Sequence, residues 1–239
     1  MDLHGAAPHL IVRELPKPGD SARLDAAEAA HARAFRLRPG DHVVLLDGTG
    51  RMADAVVRVS EPGSLEVAVE GWRETSPEAS PVTILVCGVR PERLDWIAEK
   101  ATELQASRIV LVVSDRVQSF RTQPSRIDRM EKVARAAAKQ SESARWPEIA
   151  GPVEFERALS VSAANRFLLD PSGEAFPKIL EPGASAVLVG PEGGWTDAER
   201  SLSIERGWKP ISLPAGKLRT DTAAVAALTM LRSVLGPGR

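Results

Sequence analysis

The chain has no tyrosine, one cysteine and four histidines in 239 residues, and each scarcity closes a class of function. Cys87 alone cannot form an internal disulfide, and His4, His9, His31 and His42 supply no zinc-like spacing beside it, so no metal site is expected. A buried thiol is a simpler reading of Cys87 than a nucleophile. An aromatic content of 4% argues against a base-stacking platform of the RRM or OB type. No apolar run approaches the roughly 18 residues that span a bilayer, and "MDLHGAAPHLIVREL" has no basic segment leading into an apolar one. The expectation is therefore no membrane anchor, no secretion signal and a cytoplasmic location. Net charge is −1, which excludes a globally basic nucleic-acid binder; affinity for phosphate must come from local clusters.

What is present is an ordinary globular composition, 43% hydrophobic and 26% charged, in a chain long enough for one large or two smaller domains. The first seventy or so residues read as short strands: "DHVVLLDGTGRMADAVVRVS" places two β-rich runs around a turn at Asp47 to Gly50, and "SLEVAVEGW" alternates with period two. A small β-barrel or sandwich fits. The polar, proline-bearing "RETSPEASP" marks a boundary, giving domains at 1–73 and 80–239. Beyond it, apolar runs at 82–89, 108–113, 166–170, 185–190 and 209–213 alternate with helical spacing at 91–106, 125–142, 196–206 and from about 221 to 235. Five buried strands covered by helices predict an α/β domain with a parallel sheet.

The stretch "LVGPEGGWTDAER" carries the chemistry. A buried strand precedes it, and Thr196 with Glu199 three residues on forms a capping box, so "GPEGG" runs from a strand's carboxyl end to a helix start. Ligands of open α/β sheets sit there, on exposed amides that favour electron-rich groups; a plain tight turn is the alternative. Neither GxGxxG nor GxxxxGK[ST] occurs. "LPAGKLRTDTAAVAALTMLRSVL" repeats the geometry, with Asp221 or Thr220 able to cap a helix apolar on nearly every side. Arg219, a cation at a positive helix end, either pairs with Glu192 or Asp221 or awaits an anion.

"GPEGGWTDAE" followed by Leu213 and then Leu218-Arg219-Thr220-Asp221-Thr222-Ala223 resembles the RsmE family of ribosomal RNA uridine-N3 methyltransferases, of the knotted SPOUT class. "HARAFRLRPGDHVVLLDGTG" (31–50) is similar to the family's PUA-like domain, "RLDWIAEKATEL" (93–104) to its first methyltransferase helix, and "EKVARAAAKQSESARWPEI" (131–149) to the segment ending Pro-Glu-Ile. The resemblance implies S-adenosylmethionine in a C-terminal trefoil knot, held by Gly190, Pro191, Glu192, Gly193 and Gly194, by the Leu213–Leu218 loop with Pro214 and Ala215, by Leu169, and beside Thr220 and Thr222. Glycines suit a cofactor gripped by main chain. It also implies a homodimer acting on ribosomal RNA or the small ribosomal subunit. Arg219 is expected to stabilise a developing uracil anion, and Glu192 to serve as base or to orient Arg219. The RNA-binding cations expected are Arg33, Arg36 and Arg38 in the β-domain and Arg129, Lys132, Arg135 and Lys139 on a helix stripe, which reads equally as a solvated face. Departures from the family stand at Gln105, where it has Gly, and at 141–145 and 214–217; they bear on RNA contacts more than on the cofactor site. Another RNA substrate such as transfer RNA, a non-catalytic RNA-binding protein and an anion-loop enzyme remain the rival readings.

Overall fold

The computed structural model describes residues 7–74, 80–117 and 124–236; His4, most of the boundary segment and the Pro-Gly tail fall outside them. The chain divides into two compact units, Met1–Pro77 with Ala138–Arg145, and Glu78–Ala137 with Trp146–Arg239.

In the first unit, β1 (His9–Ile11), β2 (Ser21–Leu24), β3 (His42–Leu46), β4 (Arg51–Glu61) and β5 (Ser64–Glu74) form one curled mixed half-barrel sheet in the order β1-β3-β4-β5-β2. β1 joins β3 in parallel and the other pairs are antiparallel. The β3–β4 turn falls at the expected place: the Asp47 carboxylate accepts from the Thr49 amide at 2.9 Å, and Gly48 and Gly50 take φ of 83° and 98°. Period-two side chains Val43, Leu45, Ala53, Ala55, Val57, Leu65 and Val67 fill the core. An all-strand reading of this unit needs correction, because α1 (Ala26–Ala34) lies in it and packs Ala29 and Ala32 into that core. Asp25 caps it by accepting from the Glu28 amide at 2.9 Å, an i,i+3 signal readable in "DAAE".

The second unit is a six-stranded, wholly parallel sheet built from β6 (Val82–Cys87), β7 (Arg108–Val113), β8 (Glu148–Glu154), β9 (Asn165–Ala175), β10 (Ser185–Val189) and β11 (Lys209–Ser212), in the order β11-β9-β10-β6-β7-β8. The expected five strands are thus one short. The extra one, β8, is an edge strand whose sequence EIAGPVE is only partly buried, so no continuous apolar run announces it. Helices α2 (Pro91–Glu103), α3 (Pro124–Gln140) and α6 (Thr220–Leu235) share one core with one sheet face, through Leu94, Ile97, Met130, Ala134, Leu228 and Leu231. On the other face, α4 (Phe155–Ala158) and α5 (Asp197–Glu205) pack with Trp208, Val112, Leu188 and Cys87. Covering on both faces is why β10 is buried at every position and reads as an unbroken apolar run. Cys87 sits inside that second core, its thiol pushed up by burial and then by the Glu199 charge, which removes it as a nucleophile.

Candidate functional site

A cavity of about 700 Å³ opens at the carboxyl ends of β9, β10 and β11, within the roughly 300–1,000 Å³ usual for small-molecule sites. Its wall combines "GPEGGW" after β10 with the loop after β11. Leu169, Gly190, Pro191, Glu192, Gly193, Gly194, Leu213, Ala215, Leu218 and Thr220 all line it, whereas Pro214 and Thr222 are exposed outside the lining.

Long-range bonds hold the two loops together. The Thr220 hydroxyl donates to the Gly190 carbonyl at 2.8 Å, and the Trp195 indole N–H donates to the Leu169 carbonyl at 2.8 Å. The Trp195 ring lies so close to Gly190 that a Cβ there would stand 2.9 Å from its Cε2. Gly194 has φ of 71°, a left-handed turn that glycine adopts without steric cost. The helix after this loop starts as expected: Thr196 accepts from the Glu199 amide at 3.2 Å, and Glu199 accepts from the Thr196 amide at 2.8 Å. Glu199 is only 3% exposed, and its other oxygen accepts from the Asp115 amide at 3.0 Å, in a 3-10 turn (Asp115–Val117) following β7. From the same turn Arg116 donates to the Gly193 carbonyl.

The second helix start differs from the expected one. Arg219 occupies the N-cap of α6 and its side chain makes no cap bond; Thr220 makes none either, while Asp221, inside the first turn, accepts from the Thr222 amide at 2.9 Å. Thr220 bonds Gly190 instead, and Asp221, almost wholly buried, pairs with Arg93 at 3.1 Å. The Arg219–Asp221 and Arg219–Glu192 pairings therefore do not form: among the described residues neither Arg219 nor Glu192 has an ion-pair partner, and both side chains are exposed. Glu192 lines the cavity; Arg219 stands beside it at the helix end.

A family model described as an RNA methyltransferase domain matches residues 76–232. Ribosomal RNA small subunit methyltransferase E of Mycobacterium bovis is 33% identical over 231 residues, covering 91% of this chain and 88% of that protein. The chain belongs to the RsmE family. The Bacillus subtilis protein of the same name is 27% identical over 219 residues, covering 82% of this chain and 83% of its own. The crystal structure of a ribosomal RNA small subunit methyltransferase E from Neisseria gonorrhoeae bound to S-adenosyl methionine matches with a TM-score of 0.87 at 26% identity, covering 95% of this chain and 98% of that one.

In this RsmE-family chain, part of the cavity wall escaped the sequence. β9 pairs with β11 at Phe167–Lys209 and Leu168–Pro210, then resumes at Glu174–Ile211, so residues 169–173 bulge out. Asp170, Pro171 and Ser172 thereby join the expected Leu169 on the cavity wall. Asp170 accepts from the Ser172 amide at 2.8 Å and the Ser172 hydroxyl at 2.7 Å, and forms an ion pair with Arg200 at 2.9 Å. "DPSG" is a turn signature and was the available signal. Gly173 lets the β11 backbone close in, since a Cβ there would stand 2.5 Å from the Ile211 nitrogen.

The expected cations separate sharply. On α3, Arg126 and Arg129 both pair with Asp95, at 3.3 and 2.5 Å, and Arg135 pairs with Glu131 at 3.3 Å. Lys139 is a correction: it forms a 2.9 Å ion pair with Glu28, with side chains only 16% and 9% exposed, and so is no part of a solvated stripe. Lys132 is exposed without an acidic partner among the described residues, as are Arg33, Arg36 and Arg38. Among the described residues no cluster of potential metal ligands occurs, and no helix is long and apolar enough to cross a membrane.

Proposed function

We propose that this protein transfers a methyl group from S-adenosylmethionine to N3 of a uridine in the 16S ribosomal RNA of the small subunit. The observation that carries the reading is a cavity walled by bare main chain from two strand-to-helix loops, in a chain of the RsmE family.

The residues present suit the cofactor. Leu169, Ile211, Leu213 and Leu218 offer an apolar wall for a purine, and Gly190, Gly193 and Gly194 leave main chain uncovered at contact distance. Bound there, S-adenosylmethionine supplies an electrophilic methyl carbon on a sulfonium. The remaining chemistry belongs to the chain. Neutral uracil N3 holds a proton that must leave, and negative charge develops on the ring as it does. Arg219 stabilises that charge from the N-cap of α6, at the positive end of the helix. Glu192, on the cavity wall and without a salt-bridge partner, accepts the proton. The chain acts as a homodimer, whose mass sedimentation would report.

Small-subunit RNA incubated with protein and labelled cofactor should gain its label at a uridine N3. Label found only in transfer RNA would replace the substrate, and a flat calorimetric titration with S-adenosylmethionine would leave an RNA-binding protein without catalysis. Competition by ATP would instead favour an anion loop.

A further inference from the structure

We infer that the corner between α1 and β3 in the first unit is a contact for a single unpaired RNA base, with Phe35 stacking on the base and Arg33, Arg36 and Arg38 holding the flanking phosphates. The inference rests on the RNA-methylating function proposed above and names one surface by which the substrate would be held.

Two observations point to it. First, Phe35 is a large apolar side chain left 55% exposed, one residue past the end of α1 and flanked by arginines in "HARAFRLR". A phenyl ring among guanidinium groups suits a partner that offers both an aromatic face and negative charge; nucleic acid is that partner. Second, the nearby acids are occupied elsewhere. Glu28 holds Lys139 at 2.9 Å, the Asp25 carboxylate caps α1, and Asp41 accepts from the Arg38 amide at 2.7 Å, which leaves the three guanidinium groups without an acceptor among the described residues. Arg36 itself sits at φ of 55°, the left-handed position that closes α1 as Gln105 closes α2, so glycine there would be conformationally cheaper.

The corner is also rigid. The Phe35 amide donates to the His31 carbonyl at 3.2 Å, the Arg36 amide to Arg33 at 2.9 Å and the Leu37 amide to Ala32 at 3.0 Å, and Leu37 packs on the core. The His31 ring meets Phe35 edge-on with centroids 4.8 Å apart. A ring held from below presents its other face at little entropic cost. With one aromatic the contact takes one base, in keeping with a sequence too poor in aromatics for a stacking platform.

The test uses the full chain and fluorescence anisotropy with a labelled, unstructured oligouridylate and with an RNA duplex. Phe35→Ala and Phe35→Leu should each weaken binding of the single strand by about tenfold, Phe35→Trp should bind like the original protein, and the duplex should be indifferent to all three. Arg36→Gly should raise the melting temperature while weakening RNA binding and lowering the log–log salt slope by about one. Calorimetric affinity for S-adenosylmethionine, measured in parallel, should stay unchanged in every variant. If Phe35→Leu binds the single strand as tightly as the original protein, or the duplex loses as much as the single strand, stacking is overturned. If Arg36→Gly gains stability and keeps its RNA affinity, the phosphate contact is overturned. Failure of the underlying function shows elsewhere, in the unmodified protein, as absence of binding to any RNA.

Discussion

The two helix starts that frame the cavity look alike in sequence and differ in use. At α5, the capping groups satisfy one another: Thr196 and Glu199 cap reciprocally, and Glu199 reaches on to the Asp115 amide from near-complete burial. At α6, the N-cap side chain makes no cap bond, Asp221 accepts from the Thr222 amide and pairs with Arg93, Thr220 braces Gly190, and Arg219 is left exposed with no acidic partner among the described residues. A helix end closed by reciprocal caps fixes geometry; one whose N-cap is an unpaired cation leaves that charge available to a ligand. On the function proposed above, the first loop's flank is scaffolding and the second carries the chemistry.

The contrast breaks most readily at Arg219. Arg219→Ala should lower methyl transfer by about 10²–10³-fold, on the scale of losing one charge-stabilising donor, while chemical denaturation shifts by less than about 0.5 kcal/mol. Normal turnover, or a large loss of stability, would erase the distinction. Glu199→Ala should do the opposite, costing about 2–3 kcal/mol in urea unfolding because the Thr196 and Asp115 amides lose a charged acceptor held in near-complete burial. Thr220→Val sharpens the comparison by cutting the bond between the two loops, at a cost of about 1 kcal/mol in folding and roughly fivefold in calorimetric cofactor affinity. Thr196→Ala should cost about 1 kcal/mol in stability with cofactor affinity intact, as an ordinary cap does. The control is a helix end instead of a start. Gln105, just past α2, has φ of 57°, so Gln105→Gly should stabilise by about 1 kcal/mol without touching activity.

Legibility followed the range of the interactions. The capping box was readable because it is an i,i+3 relation, and the buried strands because both of their faces are covered. Where burial is partial, as in β8, the pattern thins and the strand is missed. α1 was hidden by its alanines, which give little contrast between faces although Ala29 and Ala32 are buried. Apart from Glu131, four residues from Arg135, the counter-charges of the α3 stripe are distant in sequence: Asp95 lies 34 residues from Arg129, and Glu28 lies 111 residues from Lys139. Helical-wheel counting sees one element's charges, never the acids brought against them by folding.

By sequence alone, the chain is determined to be an α/β protein with a strand-rich first part, and two glycine- or small-residue loops are placed between strand ends and helix starts. Those are local facts, written in periodicity and in residues three or four apart. Only the tertiary structure decided that the loops meet through Thr220 and Gly190, that residues 169–173 bulge to complete the wall, and which cations remain unneutralised. Each depends on a partner tens of residues away, chosen by how helices and strands pack and not by any local pattern.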